Sequence, residues 1–99
     1  MKMKSEQAIQ SEIIKYLKSI GAYIIKVSAA TKAGIPDVII CYKGKFLAIE
    51  VKKPETKNNV SALQKANIFM IEAAGGIATV AWSKDMVIEF INKVNKELE

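Results

Sequence analysis

A chain of 99 residues, 51% hydrophobic and 25% charged, has room for one domain with a small core and lacks the composition of a disordered segment. It has no histidine and one cysteine, Cys41, which excludes Ser-His-Asp and Cys-His catalysis, histidine-ligated zinc, cysteine zinc clusters and an internal disulfide. The net charge of +5 rests on fifteen basic residues, all lysine, a balance that suits either a polyanionic partner or a well-solvated lysine surface.

The absence of arginine removes the bidentate fork that reads guanine edges, so any DNA binding leans on backbone and shape. No apolar run approaches the ~18 residues of a membrane span, and the lysine-rich start lacks a signal peptide's apolar region. The expected location is the cytoplasm, with no membrane partner. A short, apolar chain also gains stability by pairing with a copy of itself, which makes a homodimer plausible.

In chain order, SEQAIQSEIIKYLKSIG reads as an amphipathic helix with Ser5 as N-cap and Gly21 as C-terminal stop. At about 100° per residue, Ile9, Ile13, Leu17 and Ile20 form one stripe. AYIIKVS is a strand, and AATKAG a small-residue loop carrying Lys32. The segment from Pro36 to Val51 gives two strands joined near YKGK, with Cys41 expected as a buried, inert thiol. After the polar loop PETKNN come a helix capped by Ser61 and closed by Gly75-Gly76, the strand IATVAW, and a last helix capped by Ser83. The order is that of an α/β domain with a mixed sheet, the final strand lying parallel to a strand before the preceding helix.

Three polar residues interrupt the apolar hairpin. With Lys43-Gly44 as a two-residue turn, Tyr42 opposes Lys45, and counting outward sets Asp37 across from Glu50. Opposed Cβ atoms lie about 4.5–5.5 Å apart, and alternation puts Lys52 on the face of Glu50. Two carboxylates so close repel one another. A hard divalent cation such as Mg²⁺ resolves that conflict, because it takes oxygen ligands and keeps several waters. An ordinary cross-strand cluster with Lys52 offsetting one acid is the alternative. Glu6 falls on the inward stripe of the first helix, either as a dipole partner of the helix start or as a third acid of the site. Gln64 is likewise open: Ser61 to Gln64 matches a capping box, and the same side chain is available to the site.

Pro36-Asp37 followed by Glu50-Val51-Lys52 resembles the PD-(D/E)XK nuclease motif. Glu6 with Ile9-Gln10, Gly34 to Asp37, Gly44, Ser61 with Gln64 and Gly75-Gly76 bring the likeness closer to the VRR-NUC branch, in its standalone phage or bacterial form. The ordered set spans nearly the whole chain. The resemblance implies a restriction-endonuclease-like αβββαβ(α) core with a mixed central sheet flanked by helices, and a single VRR-NUC-type domain over residues 1–99. It implies a Mg²⁺-dependent DNA endonuclease, with Mn²⁺ as a substitute, in a bacterial cell or a phage-infected host. Asp37, Glu50, the Val51 carbonyl and Glu6 would hold the metal, while Lys52 and Gln64 would join the catalytic set. Lys26, Ser28, Lys32 and Lys53 would meet the nucleic acid, although the branch often has arginine and asparagine where this chain has Lys26 and Ser28. A homodimer acting on branched DNA such as Holliday junctions is the expected form. Cutting of flaps, ends or ordinary duplex, an inactive nucleic-acid-binding module, and a partner-binding domain are the alternatives.

Overall fold

The structure, a computed structural model, describes residues 3–28 and 33–99. The elements follow the expected order: α1 (Glu6–Ser19), β1 (Tyr23–Lys26), β2 (Val38–Tyr42), β3 (Lys45–Val51), α2 (Ala62–Ala73), β4 (Ile77–Ala81) and α3 (Lys84–Glu97). Only the PETKNN segment adds an element, a single 3₁₀ turn over Pro54–Thr56. The sheet is ordered β1-β2-β3-β4. Its first three strands are antiparallel, and β4 returns parallel to β3 after the α2 crossover. Among the described residues no helix is long and apolar enough to cross a membrane.

Local chemistry sets the boundaries. Ser5, Ser61 and Ser83 each accept a hydrogen bond from a first-turn backbone N–H, satisfying a donor that the helix leaves free. Lys43 and Gly44 take φ of 51° and 78°, the positive pair that a two-residue type I′ hairpin needs. The turn is tied down from outside as well. Tyr42 Oη donates to Asn95 Oδ1 at 2.9 Å, and Lys43 Nζ donates to the same oxygen at 3.2 Å, so α3 holds one end of the hairpin. The register then runs Tyr42 with Lys45 down to Val38 with Ile49. One further step brings Asp37 to Glu50, as the turn count predicts.

The core lies on one face of the sheet. Ile9, Ile13 and Leu17 of α1 and Val87, Ile91 and Val94 of α3 pack on the strand residues that point their way: Val38, Ile40, Leu47, Ile49 and Val51. Each such side chain contributes about 1.5–3 kcal/mol on full burial. The opposite face is covered by α2, which packs on β3 and β4. Cys41 departs from expectation here: it is exposed, not buried. The run VIICY is apolar throughout, but its neighbours Ile40 and Tyr42 point to the packed face while Cys41 points away. The α2 helix covers the β3–β4 side of that second face, which leaves Cys41 and its cross-strand partner Tyr23 open.

Candidate metal and nucleic-acid site

The hairpin end opposite the turn gathers the expected acids. Glu50 points to the α2 side of the sheet and is 3% exposed. Asp37 stands just before β2, and its Oδ2 accepts the Val51 backbone N–H at 2.8 Å. That bond holds Asp37 across the strand gap beside Glu50. Its own carbonyl accepts the Val27 N–H at 2.8 Å, tying the segment to the end of β1. Lys52 Nζ lies 3.8 Å from Glu50 Oε2, a loose pairing.

The cost of this arrangement falls on Glu50. Burial, then the Asp37 carboxylate beside it, pushes its pKa up from 4.5 to about 8; the charge of Glu6 adds to the effect, and Lys52 opposes it. Glu50 Oε1 is buried with no hydrogen-bond partner. A buried acceptor left so is unfavourable by about 1–3 kcal/mol. The end of this hairpin is therefore strained toward gaining either a proton or a cation.

Gln64 serves both of its alternatives at once. Its Oε1 accepts the Ser61 N–H at 2.9 Å while Ser61 Oγ accepts the Gln64 N–H at 3.1 Å, completing the capping box. Its Nε2 donates to Glu50 Oε2 at 3.1 Å. An amide has a separate acceptor and donor end, so one residue can close the helix start and orient the acid. This fixes α2 against the site.

Asn67 is a residue that the sequence reading passed over. It is the one buried side chain of α2, and its Nδ2 donates to the carbonyls of Ala33 at 3.2 Å and Leu63 at 2.9 Å. It thereby clasps the start of the Gly34-Ile35-Pro36-Asp37 segment to the helix. Gly34 makes that approach possible: a Cβ there would stand 2.7 Å from the Leu63 carbonyl group, and its φ is +85°. A polar residue one turn beyond Gln64, on the same side of the helix, was the signal available in the sequence.

The remaining expected residues are more dispersed. Glu6 is half-buried at the start of α1 and acts on Glu50 through its charge. Among the described residues no three ligating side chains form one metal cluster, so Asp37 and Glu50 are brought together as a pair and Glu6 stands off. Val51 follows Glu50 directly in the chain, with its N–H engaged by Asp37. Lys26 and Ser28 are exposed near the end of β1, and Lys53 is half-buried before the 3₁₀ turn. Lys32 lies outside the described residues.

This order of elements and paired acids has counterparts. The sequence profile of the family described as archaeal Holliday junction resolvase, Hjc, matches residues 1–98. The chain belongs to this family. A solved structure described as a VRR_NUC domain aligns with a TM-score of 0.74 over 88% of this chain and 94% of its own, at 22% identity. That likeness is one of fold, and it bears out the expected mixed sheet flanked by helices. Among curated proteins none matches the chain significantly. Family and fold together make the chain a nuclease of the restriction-endonuclease-like superfamily, with the VRR-NUC likeness borne out.

Proposed function

We propose that this nuclease is a Mg²⁺-dependent endonuclease that cuts branched DNA, Holliday junctions foremost, as a homodimer. The observation that carries the metal is the buried Glu50 carboxylate beside half-buried Asp37, with Glu50 Oε1 unpartnered. Two crowded carboxylates, one of them buried with a free acceptor, would fit a hard divalent cation, which takes oxygen ligands and retains water. Mn²⁺ suits the same donors. The family's description as a Holliday junction resolvase supports the substrate, and the lysine excess suits a phosphate backbone.

In this reading Asp37 and Glu50 hold the cation, with the Val51 carbonyl as a further oxygen and Glu6 acting through water. The cation supplies Lewis acidity toward the scissile phosphate and makes water more acidic. Asp37 is positioned by the Val51 N–H and Glu50 by the Gln64 amide, so neither has to reorganise when substrate arrives. Lys52, whose Nζ lies 3.8 Å from Glu50 Oε2, orients the attacking water or offsets charge on the pentacovalent phosphate. Lys26, Ser28, Lys32 and Lys53 contact the strands. Cation binding also relieves the repulsion between Asp37 and Glu50.

The test is a cleavage assay with Mg²⁺ on matched four-way junction, flap, duplex and single-stranded DNA, and on RNA. Junction cutting is expected to exceed the others. Asp37→Ala, shown to be folded, is expected to lose more than the 10–100-fold typical of a residue that merely supports a ligand. Cutting by that variant at the wild-type rate would sink the assignment. A preference for flaps, or binding without cutting, would favour one of the alternative readings.

A further inference from the structure

We propose that Asn67 is a positioning residue: it holds the segment carrying Asp37 at a fixed distance from Glu50 and so sets a preference for Mg²⁺ over the larger Ca²⁺. The inference rests on the metal reading above and goes beyond it, naming what fixes the spacing of the two acids. Asn67 is 5% exposed, and its amide donors are fully committed. Nδ2 donates to the Leu63 carbonyl at 2.9 Å, one turn back on its own helix, and to the Ala33 carbonyl at 3.2 Å. An amide nitrogen has two hydrogens, so neither is left over. The first bond fixes the side chain on α2; the second fixes the chain that leads into Asp37.

Gly34, Ile35 and Pro36 stand between Ala33 and Asp37, and each is stiff for its own reason. Gly34 lies so close to α2 that a Cβ would meet the Leu63 carbonyl group at 2.7 Å and Asn67 Nδ2 at 2.8 Å. Pro36 has its φ locked by the ring, and its side chain is fully buried. Ile35 precedes that proline and is biased to extended backbone. A short, stiff segment transmits position, so holding Ala33 places Asp37. Gln64, three residues before Asn67 on the same helix face, donates to Glu50 Oε2 at 3.1 Å. One turn of α2 therefore holds both acids, Glu50 directly and Asp37 through Ala33. The bonds from the Val51 and Val27 N–H groups tie Asp37 to the sheet. Asn67 ties the same segment to the helix that orients Glu50. Cations differ in how much that rigidity matters. Mg²⁺ demands a near-ideal octahedron at about 2.0–2.1 Å, whereas Ca²⁺ accepts a flexible shell at about 2.3–2.6 Å. A loosened acid pair loses the geometry the small ion needs and still serves the large one.

Mn²⁺ binding to the full chain without DNA, followed by the electron paramagnetic resonance of the free ion with Mg²⁺ or Ca²⁺ as competitor, tests this. The competition gives a Kd for each ion. In Asn67→Ala the Mg²⁺ Kd is expected to rise about 10–100-fold, as for other residues that support a metal ligand. The Ca²⁺ Kd should rise much less, so the ratio of the two shifts toward Ca²⁺. Asn67→Ser guards against a variant that fails to fold. Its hydroxyl can bond the Leu63 carbonyl within the helix but is too short for Ala33, and the same shift is expected. Ile91→Val, in the core of α3, is the control for lost stability and should leave the ratio unchanged. Circular dichroism confirms that each variant is folded. An unchanged ratio in the Asn67 variants, or equal weakening of both ions, overturns the proposal while leaving the metal reading intact. A wild type that binds no Mn²⁺ refutes the metal reading and this proposal together, so the two failures are distinguishable.

Discussion

Replacing Glu50 with glutamine should stabilise the metal-free protein while abolishing cleavage. The carboxyl ionises near pH 8 in the fold against 4.5 as its ordinary value, so between those values the folded state holds a proton that the unfolded state has released. Stability of the wild type must then fall as pH rises through this window, by at most 1.36 kcal/mol per pH unit. Below pH 4.5 the penalty is absent; above pH 8 it is complete. Integrating the two titrations gives a penalty of under about 1 kcal/mol at pH 5 and about 4 kcal/mol at pH 7.5, a ceiling because relaxation softens burial. Glutamine keeps an oxygen for the Gln64 Nε2 donor and offers Asp37 an N–H in place of a like charge. Urea unfolding in a chelator, from pH 5 to 8.5, should show the Glu50→Gln variant more stable at the alkaline end and the curves converging toward pH 5. Adding Mg²⁺ should raise the wild-type midpoint and leave the variant nearly unmoved. A stability difference independent of pH, or a variant less stable at pH 8, would refute the assigned cause.

Gln64 and Gly34 yield two further expectations. Gln64→Ala removes the acceptor for Ser61 N–H and the donor to Glu50 together, which should lower stability by about 1 kcal/mol and cleavage by 10–100-fold. Gln64→Glu restores the capping acceptor but sets a carboxylate against Glu50, so cleavage should stay low while chelated stability at pH 5 recovers; full activity in this variant would show that the bond to Glu50 is idle. Gly34→Ala forces a Cβ to 2.7 Å from backbone in a left-handed conformation, unfavourable by about 1–2 kcal/mol before the clash is counted. Thermal unfolding should fall by at least that equivalent, and an unchanged midpoint would mean that the loop moves off α2 freely.

Much of this protein was decided by local rules. Side-chain alternation and a two-residue turn are enough to place Asp37 opposite Glu50, because a register once set by Lys43-Gly44 propagates without further information. The serine caps and the glycine stops are equally local, since each involves atoms three or four residues apart. What lies beyond reach is what depends on which element covers which face. VIICY looks buried throughout, yet α2 packs on β3 and β4 and leaves Cys41 open. Gln64 reads as a cap or as a site residue, and only the placement of α2 over Glu50 lets its two ends do both. Asn67 gains meaning through Ala33, thirty-four positions away. The raised pKa of Glu50 is of the same kind: its chief cause is burial, which a chain acquires only once the helices have closed over the sheet. Sequence alone named the acids and their facing; the tertiary structure decided how far they are removed from water, and so how strongly they demand a partner.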